Sequence, residues 1–266
     1  MTRVIVHAGF HKTGTTSLQR YLRENRHALA PWFAYHGTSQ FDLAAERSKV
    51  YAQRRFVWRR WRFRRALHDC LASLPDADTI VLSRETLTGV MPGHRDWRGR
   101  VIQSYLPAAV PLCRDTAAAL RARFGRDVRI EFVITTREQS TWIESVYGHL
   151  VRSIHLTENF AAFIAQFPNP IDLDEEAARL AERLAPYPTH IFRMEDYADS
   201  HAGPATPILD LCGVPDELRT ALPPAAHANA RQSADLEAAF IRLNRSGKTK
   251  ADLRRIKDRM RAAHPA

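Results

Sequence analysis

Near its first residues the chain reads Val4-Ile5-Val6-His7-Ala8-Gly9-Phe10-His11-Lys12-Thr13-Gly14-Thr15-Thr16-Ser17-Leu18. The apolar start of this stretch predicts a buried β-strand, and the apolar spacing at its end predicts a helix. Gly9 and Gly14 bound the turn between the two. Such a turn can cradle phosphate, because its backbone N–H groups close on an anion and the helix N-terminus adds a partial positive charge. Thr15, Thr16 and Ser17 add hydroxyl donors at the first helical turn.

The position of the lysine distinguishes this loop from that of a nucleotide hydrolase. Gly9 and Gly14 have the spacing of the P-loop motif G-x-x-x-x-G-K-[ST]. The residue after Gly14 is Thr15, however, and the lysine lies inside the loop as Lys12. A nucleotide-hydrolysing P-loop needs its lysine on the β- and γ-phosphates and a hydroxyl group on Mg²⁺. The displaced lysine therefore indicates a shorter phosphate chain.

Three further apolar runs predict strands after the first one at Arg3–His7. They are Thr79–Ser83, Arg129–Thr135 and Thr189–Phe192. Helical patterns lie at about 42–73, 112–124, 140–154, 158–166, 174–185, 205–212, 234–244 and 249–262. Apolar strands with helices between them predict an α/β fold. We expect a P-loop NTPase-like three-layer sandwich, with a central parallel sheet of about four to five strands flanked by helices. Ligands of such sheets bind at the carboxyl ends of the strands.

A second candidate anion site follows the third predicted strand. Arg137 comes just after that strand, and Ser145 lies in the next predicted helix. An arginine can hold a phosphate through two parallel hydrogen bonds, and a serine hydroxyl group can donate another.

Together these two segments resemble the sulfotransferases that use 3′-phosphoadenosine 5′-phosphosulfate (PAPS), and bacterial members of that family above all. Residues 9–16 are similar to their 5′-phosphosulfate-binding loop, whose core is K-[ST]-G-T-[ST]. Arg137 and Ser145 resemble the 3′-phosphate motif of the family, although Gln139 stands where a proline is common. Softer similarities continue along the chain as far as Asn244.

The resemblance implies a P-loop-like α/β fold and transfer of a sulfuryl group from PAPS to a hydroxyl or amine group of an acceptor. Loss of the sulfuryl group converts the donor to 3′,5′-adenosine bisphosphate (PAP). The implied donor-binding residues are Gly9, His11, Lys12, Thr13, Gly14, Thr15, Thr16, Ser17, Arg137, Ser145 and Arg231. Lys12 is then a catalytic residue that stabilises charge on the departing phosphate. No metal is required, because a sulfuryl group carries less charge than a γ-phosphate.

A hydroxyl acceptor also needs a general base. Glu85 is the first candidate, because it follows the second predicted strand at the carboxyl edge of the sheet. It can equally be an acidic residue at the start of a helix. His11, beside Lys12, is a second candidate, either for acid–base catalysis or for contact with the phosphosulfate.

Positive charge is concentrated in two predicted helices. The 266 residues contain 39 Lys and Arg against 29 Asp and Glu, which gives a formal net charge of +10. Residues 54–65 hold seven arginines and no acid, and residues 242–261 hold nine basic and two acidic residues. The first segment suits a sugar-bearing or anionic acceptor, an anionic membrane surface, or a solvated helix with an apolar stripe that includes Phe63, Leu67 and Leu71. No sequence-specific nucleic-acid motif is present.

Composition places the chain among globular proteins, since 45% of its residues are hydrophobic and 26% are charged. We expect one sulfotransferase-like domain over 1–266, with a helical insertion at about 40–75 and basic C-terminal helices at about 234–262. We find no apolar stretch long enough to span a membrane, no signal-peptide core, and three cysteines without metal-like spacing. We therefore expect a cytoplasmic protein, peripheral at the inner face of the membrane if its basic helices contact lipid.

Two other functions fit parts of the sequence. A P-loop small-molecule kinase or nucleotide hydrolase would bind ATP with Mg²⁺; the absence of a lysine at position 15 and of a clear acidic metal ligand after a strand argues against it, although Glu85 keeps it open. A non-catalytic polyanion- or membrane-binding protein on a decayed enzyme fold would use the basic helices and ignore the donor nucleotide. For a sulfotransferase, a sugar, a lipid-linked glycan, a phenol and a small metabolite all stay open as acceptors, and so does the oligomeric state.

Overall fold

The structure, a computed structural model, describes residues 1–226 and 234–263. At its centre lies a five-stranded sheet in the order β2-β3-β1-β4-β5. The strands are β1 (Arg3–His7), β2 (Ala34–His36), β3 (Thr79–Ser83), β4 (Arg129–Thr136) and β5 (Thr189–Arg193). All neighbouring strands are parallel, so the carboxyl ends of β1, β3 and β4 meet at one edge. The predicted α/β fold with a parallel sheet of four to five strands is confirmed.

Successive residues of the inner strands are buried on opposite faces of this sheet. On β1, Val4 and Val6 belong to a large hydrophobic core on one face, whereas Ile5 belongs to a smaller core on the other face. All three side chains are completely buried. Because both faces are covered, the inner strands are mostly apolar rather than alternating.

Helices form the two covering layers. The smaller core lies under α1 (Thr15–Glu24), α2 (Arg26–Leu29), α9 (Thr206–Leu211) and α10 (Asp216–Ala221). The larger core lies under α3 (Asp42–Gln53), α4 (Val57–Ala72), α5 (Leu106–Phe124), α6 (Gln139–Ser153), α7 (Phe160–Ile164), α8 (Leu173–Leu184), α11 (Ala234–Asn244) and α12 (Lys250–Ala263). The sheet is therefore flanked by helices on both faces.

The helical pattern predicted at about 42–73 forms two helices in the structure. α3 and α4 are separated by residues 54–56, where Phe56 has an extended backbone. One straight helix of this length would measure about 48 Å, which is longer than a small sheet can cover. The break lets α4 fold back and pack against α3. The predicted apolar stripe of α4, with Phe63 and Leu67, is buried.

The other differences concern the ends of elements and short elements. The helix predicted from 112 begins at Leu106, because Pro107 occupies its first turn, where no N–H is needed, and Pro111 is tolerated inside it. The sequence does not predict β2, α2 or α10, since elements of three to six residues have little periodicity. Among residues 1–226 and 234–263, no helix combines the length and apolar character that crossing a membrane requires.

Candidate anion-binding site

The loop between β1 and α1 lies at the carboxyl edge of the sheet, beside the ends of β3 and β4. Gly14 precedes α1 with a φ of 81°, a left-handed conformation that glycine adopts without strain. A Cβ atom at Gly14 would also lie 2.9 Å from Cγ of Pro204. Lys12 has a φ of 70°, which costs a residue with a side chain about 1–2 kcal/mol. The turn therefore depends on Gly14 and holds Lys12 in an uncommon conformation.

The backbone N–H groups of residues 12–17 donate no hydrogen bond within the described part of the chain. The N-terminus of α1 has no side-chain cap and no acidic residue in its first turn. A helix end of this kind carries unsatisfied donors and a partial positive charge. The amides of the loop are thus available to an anion.

Neighbouring side chains form hydrogen bonds with the backbone of the loop at His11 and Lys12. The indole Nε1 of Trp142 donates to the carbonyl oxygen of His11 at 2.9 Å, and Nη1 of Arg137 donates to that of Lys12 at 3.3 Å. The N–H of His11 donates to Oη of Tyr105 at 3.1 Å. Trp142 and Tyr105 are completely buried. These contacts set the shape of the loop.

A buried polar network forms the floor below the loop. Nδ1 of His7 lies 2.7 Å from Oγ of Ser83, and Nε2 of His7 lies 3.5 Å from Oγ1 of Thr135. The hydroxyl group of Thr13 lies 2.6 Å from that of Thr135 and donates to the carbonyl oxygen of Phe10 at 2.6 Å. Burial lowers the pKa of His7 to about 4, so its ring is neutral near physiological pH. Because the Thr13 hydroxyl is engaged here, Thr13 can offer an anion only its backbone N–H.

The ammonium group of Lys12 has no hydrogen-bond or ion-pair partner among the described residues. Its side chain is half-buried. Burial, followed by the positive charges of Arg152 and Arg137, lowers the pKa of Lys12 to about 8, and the carboxylate of Glu85 opposes this shift. An anion bound between these cations would relieve their repulsion. The charge distribution therefore favours an anionic ligand at this loop.

Helix α6 contributes four residues at helical spacing: Trp142, Ser145, His149 and Arg152. Nη2 of Arg152 lies 3.3 Å from Nδ1 of His149. Burial and the positive charge of Lys12 lower the pKa of His149 to about 2, so its ring is neutral. The half-buried Ser145 makes no side-chain hydrogen bond to a described residue. The sequence analysis missed His149 and Arg152, although their spacing from Ser145 could have indicated them.

Both candidates for the general base lie near Lys12. Glu85 begins a short 3₁₀ turn after β3, and its carboxylate accepts a hydrogen bond from Nε2 of Gln19 at 2.9 Å. Burial disfavours the charged form of Glu85, but the nearby ring of His11 and the hydrogen bond from Gln19 outweigh it and lower the pKa. Burial lowers the pKa of His11 to about 4. Near neutral pH both groups are therefore in their basic forms.

The remaining predicted residues are dispersed around the loop. Gly9 has no room for a Cβ atom, which would clash with the floor network. Thr15 is buried and Thr16 is exposed, both in the first turn of α1. Ser17 lines a small pocket beside α1. Arg231 lies outside the described residues.

Comparison with known proteins does not assign this chain to a family. The chain matches no protein-family model, and no curated protein is significantly similar to it. The structure is that of an α/β protein in which, among the described residues, the loop amides and the ammonium group of Lys12 have no partner and an arginine from the neighbouring strand end lies beside them. This combination defines a cationic site for an anionic ligand.

Proposed function

We propose that this protein is a sulfotransferase that moves a sulfuryl group from PAPS to a hydroxyl or amine group of an acceptor. The proposal includes a P-loop-like form of the α/β fold. The observation that carries it is the closeness of Lys12, after β1, to Arg137, after the adjacent β4. Nη1 of Arg137 lies 3.3 Å from the carbonyl oxygen of Lys12. Two cationic groups in this arrangement suit a ligand with two separate anionic groups.

In this proposal the two ends of the donor bind to two segments. The amides of residues 12–17 hold the 5′-phosphate, and Lys12 contacts the phosphosulfate. Arg137 and Ser145 hold the 3′-phosphate. Nε of Arg137 already donates to Oγ1 of Thr141 at 3.1 Å, which orients the guanidinium group and leaves Nη2 without a partner among the described residues.

The transfer step forms a bond from the acceptor oxygen to sulfur and breaks the bond from sulfur to the bridging oxygen of the donor. The electron pair of the broken bond stays on the phosphate of PAP. Lys12 stabilises this charge, since a pKa of about 8 leaves its ammonium group mostly protonated near neutral pH. The proton of the acceptor passes to Glu85 or His11. Both have low pKa values, so either accepts a proton only from an oxygen that bonding to sulfur has made acidic.

Calorimetry with three nucleotides tests the donor assignment. We expect PAP to bind about 10- to 100-fold more tightly than 5′-AMP, because the 3′-phosphate adds charge-assisted hydrogen bonds worth about 1.5–3 kcal/mol. Equal affinity for PAP and 5′-AMP would contradict the proposal. Tighter, Mg²⁺-dependent binding of ATP would favour the kinase or hydrolase instead.

Two variants separate the two ends of the donor site. Lys12→Ala should weaken the binding of PAP and 5′-AMP alike, whereas Arg137→Ala should weaken PAP by about tenfold or more and leave 5′-AMP nearly unchanged. Lys248→Ala and Arg126→Ala are matched controls, because both side chains are exposed. A loss of PAP binding in the controls as large as in Lys12→Ala would show that general charge, not the site, binds the nucleotide.

A third variant tests the general base. Glu85→Gln should bind PAP like the native protein but release PAP from PAPS about 10²–10⁴-fold more slowly in the presence of a panel of phenols and saccharides. Glutamine has the shape of glutamate and cannot take up the proton. Unchanged turnover would remove Glu85 from the mechanism and leave His11 as the candidate.

A further inference from the structure

The outward face of α4 carries tryptophans where a solvated helix carries polar residues. α4 buries Phe63 and Leu67 in the larger core. Trp58 and Trp61 lie on the opposite face, and their exposed fractions are 54% and 56%. Burial in the core therefore does not explain these two side chains.

Other exposed apolar groups adjoin the two tryptophans. The ring of Phe56 stacks on that of Trp58 with 4.5 Å between centroids and lies 5.6 Å from the ring of Trp97. The exposed fraction is 84% for Val57 and 51% for Trp97. We refer to Phe56, Val57, Trp58, Trp61 and Trp97 as the aromatic patch. Exposed apolar clusters of this kind mark interaction surfaces.

Arginines without acidic partners accompany the aromatic patch. Arg60 pairs with Asp115 through hydrogen bonds of 2.7 and 2.9 Å, and Arg64 lies 3.9 Å from the same carboxylate. The other arginines of the segment form no ion pair with a described residue: Arg54, Arg55, Arg59, Arg62 and Arg65. Residues 54–65 contain no acidic, amide or hydroxyl side chain.

We propose that the aromatic patch and these arginines dock on a membrane surface rich in anionic phospholipid. Arginines near such a surface are attracted to its headgroups, and indole rings favour the boundary between headgroups and acyl chains. Val57, at the start of α4, adds an aliphatic side chain to the inserted face. The inference goes beyond the proposed function, because none of these residues belongs to the donor site.

The same residues fit a glycan or a nucleic acid less well. Recognition of sugar hydroxyl groups needs acceptors as well as donors, and residues 54–65 offer side-chain donors only. Stacking on bases needs free ring faces. One face of each exposed indole is already covered, by Phe56 for Trp58, Arg65 for Trp61 and Arg98 for Trp97, so no base could be sandwiched between two of these rings without displacing a neighbour.

Co-sedimentation of the full-length protein with vesicles tests this inference. We expect binding to phosphatidylcholine vesicles with about one third phosphatidylglycerol, and little binding to pure phosphatidylcholine. Acyl-chain-brominated lipids should quench the tryptophan fluorescence of the bound protein. Trp58→Phe/Trp61→Phe/Trp97→Phe should keep most of the binding and lose most of the quenching, which a purely electrostatic contact would not predict.

Two charge variants locate the binding surface. Arg62→Glu/Arg65→Glu should weaken vesicle binding about 25-fold or more, since each arginine contributes about fivefold near an anionic surface. Arg254→Glu/Arg259→Glu on α12 makes the same charge change elsewhere and should bind within about threefold of the native protein. Circular dichroism and unchanged PAP affinity would show that the α4 variant is folded.

Three results would overturn the proposal. They are equal binding to vesicles with and without phosphatidylglycerol, a larger loss in the α12 variant than in the α4 variant, and no quenching by brominated lipid. Tighter binding of a single-stranded oligonucleotide than of vesicles, abolished by Trp58→Ala/Trp61→Ala, would assign the surface to nucleic acid instead.

Discussion

His7→Asn should change the acid sensitivity of the protein more than its stability at neutral pH. His7 is completely buried below the anion-binding loop, and Nδ1 lies 2.7 Å from Oγ of Ser83. Asparagine can keep a hydrogen bond to that hydroxyl group but cannot be protonated. At neutral pH we expect the variant to be less stable by about 1–3 kcal/mol, because it loses part of a well-packed ring.

The magnitude of the acid effect follows from the pKa of His7. Burial lowers this pKa from 6.5 to about 4. Between these pH values the unfolded chain binds a proton at His7 and the folded protein does not, so the free energy of unfolding falls as the pH falls. The native protein therefore loses about 3 kcal/mol from His7 between pH 6.5 and pH 4. His7→Asn does not have this loss, and near pH 4 it should be at least as stable as the native protein.

Urea unfolding followed by far-ultraviolet circular dichroism, at several pH values in this range, gives both free energies. The difference between the two proteins isolates His7, because the other buried histidines titrate in both. Ser83→Ala is the matched control, since it removes the hydrogen bond but keeps the ring. Its stability should be lower at every pH and fall with pH as steeply as that of the native protein. If the curves of His7→Asn and the native protein run parallel, the buried ring is not what takes up the proton.

Three further substitutions test other parts of the structure. Gly14→Ala forces a side chain into a φ of 81°, so it should lower stability by about 1–2 kcal/mol and weaken PAP binding in calorimetry; unchanged affinity would mean that the loop has another shape. Glu131→Gln removes the buried carboxylate that Arg3, itself partly exposed, contacts at 2.7 Å, and it should cost about 1.5–3 kcal/mol in urea unfolding, whereas a cost below about 0.5 kcal/mol would contradict the geometry. Lys257→Met removes the hydrogen bonds that Nζ donates near the end of α6 to the carbonyl oxygens of Val151 at 2.8 Å and Arg152 at 3.1 Å, although Asn244 still donates to that of Val151. A drop of about 1–3 kcal/mol is expected in thermal unfolding, and an unchanged midpoint would argue against this contact.

The inner strands could be predicted from the sequence because buried strands consist mainly of apolar residues. β1 and β3 have the predicted bounds, Arg3–His7 and Thr79–Ser83, since completely buried strands read as short apolar runs with sharp ends. β2 could not be predicted, because its three residues are held at the sheet edge by pairing such as that of Tyr35 with Val81. That pairing depends on the tertiary structure and has no local pattern.

The part of the candidate site that lies at the carboxyl ends of the strands could be predicted from the sequence. Lys12 and Arg137 follow neighbouring parallel strands, and their closeness follows from that topology. His149 and Arg152 have helical spacing from Ser145 on α6, so the sequence indicates them only once Ser145 is placed at the site. His7 was not predicted to support the loop, because one polar residue in an apolar strand does not indicate its partners.

The central place of β1 has a consequence for how the protein forms during synthesis. β1 leaves the ribosome before the other four strands of the sheet, yet Arg3 pairs with Thr79 on one side and with Arg129 on the other. The strand therefore stays unpaired until both partner strands have been translated. During that time its apolar residues are exposed, which favours aggregation and binding by chaperones. Chains released before residue 129 would contain the anion-binding loop but would lack β4, the strand that lies beside it.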